Sequence, residues 1–574
     1  MVVEPYRETT MIVTGGRSPG SLFYWRLVQL SAEGIPLEGV DPVIDAIGGN
    51  QATVTLNDPG SVFSLKVEER DIAGRVVASA ELEVSCRYVR REIRDLTDAD
   101  REEFLEALKV YYTVGTEEGR AKYGNDFFNY ERITAFHSSP ASSRKNKFCY
   151  HGGLQFLTAH TAFGLMMERS LQVVNPRVSL SFWDYMIDAT EHGTEWGNSP
   201  IFHDSVFGRA MGSAENGYQV TDGRFGDVYA IYDPENTLVG DEFSPFHNAY
   251  GFINAAYNYQ ESPRLTRTNS FCNLEAHSVF ATPDVFFSCF ENHDTLFAWE
   301  LCMERKVHGD MHGLLGGSFK CNVDMKRFQN EHPEYSPGML TFLLEDLTAN
   351  YWPSNSLMPE YNVCDTECKI GQAERCGCTC TVDSLTLSDE TIYNIMEPFL
   401  ERARERFAGS GFISYDESSD HPWSFTQEGG SRMSDESTMY LLRHLAKIGC
   451  EPGAVGTIST GASPMDPIFW VLHPMFEKAL HVLWLSPRFR HYSFDWYDGT
   501  CQGSKLGDFL PFTEASLGFG SGNDFLTNAE LMTLLNVNNP RLPYLYEKFD
   551  SWGSTNGWNF CEECTAAVAS KADR

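Results

Sequence analysis

The 574-residue chain carries 79 acidic against 45 basic side chains, a formal net charge of −34. Self-repulsion on that scale argues against nucleic acid or an anionic membrane as a partner, and says nothing against a neutral aromatic ligand. At 42% hydrophobic, 22% charged and 13% aromatic residues, the composition is that of a globular protein with room for two to four domains.

Residues 1–88 read as short strands. The runs "SLFYWRLVQLS", "QATVTLND", "SVFSLKVEE" and "RVVASAELEVS" alternate or are β-branched, and "GGRSPG", "DPG" and "DIAG" break them. The pattern predicts a small antiparallel sandwich that serves as a structural or binding accessory. The period then changes. In "LTDADREEFLEALKVYYTV", Thr97 is a helix cap, acidic residues fill the first turn, and Phe104, Leu105, Leu108 and Tyr111 form an apolar stripe. From here the chain reads as mainly α, with long Gly-, Asn- and aromatic-rich loops between about 186 and 275. Residues 321–455 read as an insertion that holds a cysteine cluster and a helix in "SDETIYNIMEPFLERARERF". No apolar run reaches the roughly 18–20 residues of a membrane-spanning helix. No basic-then-apolar leader stands at the start.

Fifteen cysteines is a high count, and "CDTECKIGQAERCGCTC" gathers five of them. Disulfides in an oxidising, secreted or lumenal compartment are one reading; a structural zinc site is the other. The spacing C-x3-C-x7-C-x-C-x-C follows no regular zinc pattern, which favours disulfides. The odd total leaves one sulfur without a disulfide partner.

Metal sites on helices commonly use His-x3-His, and among sixteen histidines only His308 and His312 have that spacing. Two surface histidines would look the same. His151 and His160, in "CYHGGLQFLTAH", are two and a half turns apart, so a shared metal requires His151 to sit on a loop before the helix. The paired glycines after it fit that placement. The helix that follows ends at Asn175-Pro176 and puts Leu157, His160, Gly164, Glu168 and Leu171 on one face. A metal or an ordinary core partner would satisfy His160. His473 lies on an aromatic-rich stretch with Glu477 and His481 one and two turns later, and His137 is the only histidine upstream of His151.

Taken together, these segments resemble the type 3 copper family of tyrosinases, catechol oxidases and haemocyanins. The matches are His151, Phe156-Leu157, His160, Glu168 and the "LSFWDY" turn (Leu180 to Tyr185); then His308, His312, Gly316 and Gly317; then Asp466, Pro467, Phe469, Trp470 and His473. The resemblance implies a tyrosinase-like helical-bundle dicopper core with an N-terminal all-β sandwich and a long Cys-containing insertion. Residues 89–320 and 456–500 would form the dicopper domain, and 501–574 a C-terminal segment. It implies one copper on His137, His151 and His160, a second on His308, His312 and His473, and dioxygen as co-substrate. In fungal, plant and molluscan members a cysteine two residues before the second histidine forms a thioether to it; Cys149 holds that position relative to His151, with a disulfide as the alternative. A thioether would leave fourteen cysteines, enough for seven disulfides.

Departures bear on the reaction. Ala159-His160-Thr161 replaces the family's "WHR", Glu477 stands where an Asp is usual, and Leu472-His473 replaces a paired "HH". In members that hydroxylate monophenols, a glutamate eight residues before the first copper-B histidine and an asparagine after that histidine order a water that deprotonates the phenol. Glu300 takes the glutamate position as the catalytic candidate, but Gly309 replaces the asparagine. Because a phenol of pKa about 10 is mostly protonated at neutral pH, the resemblance implies oxidation of o-diphenols to o-quinones more directly than monophenol hydroxylation. Two alternatives stand beside it: reversible oxygen binding, and a structural protein that kept the fold. The single copper-ligand set favours an enzyme over a carrier with repeated units.

Overall fold

The computed structural model describes residues 1–15, 20–31, 33–142, 150–228, 264–276, 278–351, 357–364, 378–406, 411–419, 421–426 and 430–548. The N-terminal strands pair as the alternation predicts. β1 (Val2–Val3), β3 (Leu22–Gln29), β4 (Ile44–Gly48), β6 (Val62–Arg70) and β7 (Val76–Cys86) form one sheet in the order β1-β7-β6-β3-β4. β2 (Glu8–Ile12) pairs with β5 (Gln51–Thr55) in a second. One face of each strand is apolar, so the two sheets bury Trp25, Leu27, Phe63, Leu65, Val84 and Cys86 in a core separate from the rest of the molecule.

The chain leaves this core through β8 (Tyr88–Arg90), which pairs in parallel with a strand near the C-terminus, Tyr544–Tyr546. Next comes α1 (Asp98–Thr113). The Thr97 hydroxyl accepts the Asp100 N–H, and Phe104, Leu105, Leu108 and Tyr111 are buried. α2 (Tyr130–Ser142) and α3 (Gln155–Val174) follow. α3 stops at Asn175, as the following proline demands, and is buried on nearly every side.

α4 (Leu296–Cys302) continues through a π-helical turn (Met303–His308) into α5 (Gly309–Gly316). The π-turn shifts the ladder by one residue just before His308, a device common at functional sites. The glycine pair that follows has a packing cause. A Cβ on Gly316 would collide with Ser459, and Gly317 has φ +54° with the Thr268 and Ser270 carbonyls 2.5 Å from where its Cβ would stand.

The insertion begins and ends at one place. β9 (Ser318–Phe319) pairs antiparallel with β12 (Ala454–Val455). The 160 residues between His312 and His473 therefore leave and re-enter the core side by side. Within the insertion, α7 (Asp389–Arg406) packs on α8 (Asp435–Cys450), α6 (Pro337–Glu345) reaches both through the π-helical turn that follows it (Asp346–Tyr351), and β10 (Asn362–Cys364) pairs with β11 (Cys378–Cys380). The last elements of the core are α9 (Phe469–Leu472), α10 (Pro474–Leu485) and β13 (Tyr544–Tyr546), the strand that pairs with β8. Among the described residues, no helix is long and apolar enough to cross a membrane.

Disulfides join Cys272 to Cys321, Cys289 to Cys302 and Cys380 to Cys450. Cys380, from the sequence cluster, is thus a disulfide half; Cys368 and Cys376 lie outside the described residues. Cys86 corrects the count. It is a free thiol buried in the sandwich core, and burial pushes its pKa up to about 12. Seven disulfides alongside a Cys149 thioether are therefore excluded, since removing both Cys86 and Cys149 from fifteen leaves an odd number.

Candidate metal centre

The six candidate histidines arrive from six places and form two groups. His137 comes from α2, His151 from the loop before α3, and His160 from the second turn of α3; their ligand nitrogens lie within 4.8 Å of one another. His308 closes the π-turn, His312 is on α5, and His473 stands between α9 and α10, with nitrogens equally close. The two groups touch. The His160 and His473 rings lie parallel, 4° apart in plane and 5.1 Å between centroids.

Hydrogen bonding fixes which nitrogen faces inward. The Nδ1–H groups of His137, His160 and His473 donate to the carbonyls of Gly461 (2.7 Å), Phe156 (3.0 Å) and Phe469 (2.9 Å), and that of His312 donates to Ile458. A neutral imidazole with a proton on Nδ1 carries a lone pair on Nε2. Those lone pairs point at one another: His137 and His160 Nε2 are 3.3 Å apart, His308 and His473 2.8 Å, and His308 and His312 2.9 Å. His160 and His137 both spend their protons elsewhere, so their close approach has no hydrogen to share. A cation between them is the chemistry that makes such a contact favourable.

Burial keeps the rings neutral. Desolvation holds His137 and His312 down at about 4, and the other four well below the ordinary histidine value. Phe156 stacks on His160 at 4.0 Å and Phe469 on His473 at 3.7 Å, which restricts both rings. His151 and His312 are each partly exposed.

Glu168 and Glu477 meet a partner that the sequence alone did not reveal. Arg90, fully buried on β8, donates to Glu168 (2.7 and 3.3 Å) and to Glu477 (2.8 Å). Tyr544 and Tyr546 on β13 also donate to Glu477. One guanidinium thereby ties α3, which carries His160, to α10, which follows His473. The "LSFWDY" turn completes the tie: Leu180 N–H donates to Glu168 and Trp183 N–H to the Val471 carbonyl. A second buried pair, Arg267 with Asp466 (2.6 Å), holds the segment before α9.

A family model described as the common central domain of tyrosinase matches residues 128–336. The central part of the chain thus carries a tyrosinase-type domain of the type 3 copper family. The chain is 29% identical over 114 residues to a tyrosinase of Aspergillus oryzae, a match covering 19% of this chain and 20% of that protein. It is 21% identical over 255 residues to the haemocyanin G-type, units Oda to Odg, of Enteroctopus dofleini, covering 40% of this chain and 8% of that one. The chain thus spans a fifth or less of the length of either relative.

Within this type 3 copper domain, Glu300 lies on α4, wholly buried, with no donor among the described residues facing its carboxylate. Burial first, and then the neighbouring Glu304 carboxylate, raise its pKa well above the usual carboxylate range. Glu304 in turn accepts the Gly152 N–H through both oxygens at 2.9 Å, which anchors the loop beside His151 to the π-turn that ends in His308. Glu304 was not found from the sequence, although its place one helical turn before His308 was a usable signal. Cys149 lies outside the described residues.

Proposed function

We propose that each histidine group holds one copper ion and that the protein oxidises o-diphenols to o-quinones with dioxygen, two diphenols and one O2 giving two quinones and two waters. The convergence of six neutral imidazoles, their Nε2 lone pairs turned inward in two adjoining triads, is the observation that carries this reading. Neutral nitrogen donors suit both Cu(I) and Cu(II), and the pair of ions would supply the two-electron exchange with dioxygen. The chain's own part is geometric. The Nδ1–H bonds to backbone carbonyls set the tautomers, the Phe156 and Phe469 stacks hold the rings, and the Arg90 bridge fixes the two ligand helices against each other.

Access supports catalysis, because substrate coming from solvent meets the partly exposed His151 and His312. The diphenol is favoured over the monophenol on two counts. Burial and the neighbouring Glu304 favour the protonated form of Glu300, and Gly309 offers no side chain at the asparagine position, so these positions present a weakened base to an incoming phenol. We further propose the Cys149–His151 thioether, which would hold in place a ligand that no helix orients. The similarity to a haemocyanin favours a second reading, reversible oxygen binding at the same triads. Quinone formation by pure, copper-loaded protein without protease or detergent decides between them; a protein that takes up two coppers and oxygen yet makes no quinone is a carrier.

A further inference from the structure

His160 and His473 line a cavity of about 20 Å³. His137, His151, His308 and His312 do not line it. Leu157, Gly164, Leu180, Phe156, Phe469 and Phe476 supply most of its apolar lining. A water-sized occupant needs roughly 10–15 Å³, so there is room for one small molecule. A phenolic ring, several times the size of a water molecule, exceeds that space.

The polar groups at the cavity are already spent. His160 and His473 donate from Nδ1 to Phe156 and Phe469, and the Trp470 indole N–H donates to the Tyr112 hydroxyl at 2.8 Å. Glu477 accepts from Arg90, Tyr544 and Tyr546. Thr161 is the one other polar side chain in the lining. A buried water makes about three hydrogen bonds, and one partner does not hold it; apolar cavities of this kind stay dry and take up apolar gases.

We propose that this cavity is a holding site for one small apolar molecule, dioxygen in the working protein, placed against one histidine of each triad. The identity of the gas rests on the function proposed above; the apolar site itself does not. Gly164 supplies the test. A Cβ added there meets only Leu180 Cδ2, at 3.4 Å, so Gly164→Ala fits without displacing a neighbour, removes space, and favours the helix. Leu180→Ala enlarges the same space.

The experiment is xenon binding to copper-free protein, by ¹²⁹Xe NMR titration and by crystals under xenon pressure. The expected result is one xenon beside Leu157, Gly164 and Leu180, held about tenfold more weakly in Gly164→Ala, the worth of a methyl group in an apolar pocket, and more tightly in Leu180→Ala. In copper-loaded protein Gly164→Ala then raises KM for oxygen and leaves KM for the phenol unchanged. An ordered water in the cavity, or xenon binding unaltered by Gly164→Ala, overturns the proposal. Because the xenon measurement needs no copper, a failure of the copper reading leaves it standing. An active dicopper protein that binds no xenon there refutes this inference alone.

Discussion

Replacing Arg90 by methionine keeps the length of the side chain and removes the charge. The guanidinium is wholly buried between Glu168 and Glu477 and lies 3.3 Å over the Tyr544 ring. Its loss leaves two carboxylates in the core with no cation, and breaking a buried ion pair in this way costs about 3–5 kcal/mol. Two further substitutions sort the cause. Replacing the whole cluster is often close to neutral, so Arg90→Met with Glu168→Gln and Glu477→Gln recovers about half or more of that loss. The sign with pH follows from Glu477. Burial already raises its pKa, and Arg90 opposes the rise. Without Arg90 the folded-state value climbs further above the unfolded one, so the penalty is absent below the unfolded pKa near 4.5 and grows as pH rises toward the folded value. Urea unfolding of copper-free protein, followed by tryptophan fluorescence at pH 5 and pH 8, measures it. A loss under about 1 kcal/mol at both pH values, or a triple variant no better than the single one, would refute the assignment of Arg90 as the bridge between the ligand helices.

Further outcomes follow from the same geometry. His308→Ala lowers bound copper from two ions to one and abolishes catechol oxidation, while far-ultraviolet circular dichroism stays unchanged; full activity would remove His308 from the site. Burial holds all six site histidines below their ordinary pKa, two of them at about 4, so the unfolded chain binds the extra protons. Copper-free protein therefore loses stability progressively as pH falls from 6.5 toward 4, and bound copper suppresses that loss. Glu304→Gln keeps an oxygen for the Gly152 N–H and retains copper affinity, whereas Glu304→Ala frees the loop beside His151 and weakens one copper by about 10- to 100-fold, the usual effect of losing a group that supports a ligand. If the Cys149–His151 thioether forms, complete reduction and alkylation modifies fourteen of the fifteen cysteines; fifteen modified residues exclude it.

The grouping of the six histidines could be anticipated from the sequence because sharing a metal constrains spacing. His308 and His312 need one helical turn between them, and His151 must sit outside a helix that the glycines after it delay. The Thr97 cap and the Asn175-Pro176 stop are local signals, and both helix ends stand where those residues put them. What pairs across the fold was not legible. Glu168 and Glu477 clearly needed partners, yet Arg90 lies 78 and 387 residues away and meets them only because β8 pairs with β13. Arg267 and Asp466, 199 residues apart, are hidden for the same reason. Cysteine parity misled in a different way: it treats every unpaired sulfur as chemically special, and Cys86 is simply a small apolar side chain in a sandwich core.

The central claim is that two metal ions sit side by side, each gripped by three imidazoles. Anomalous scattering at the copper edge from crystals of copper-loaded protein tests it most directly. Two peaks are expected, one among His137, His151 and His160 and one among His308, His312 and His473, separated by roughly 3.5–4 Å as in other two-metal sites. A single peak, or copper bound away from these histidines, would contradict it.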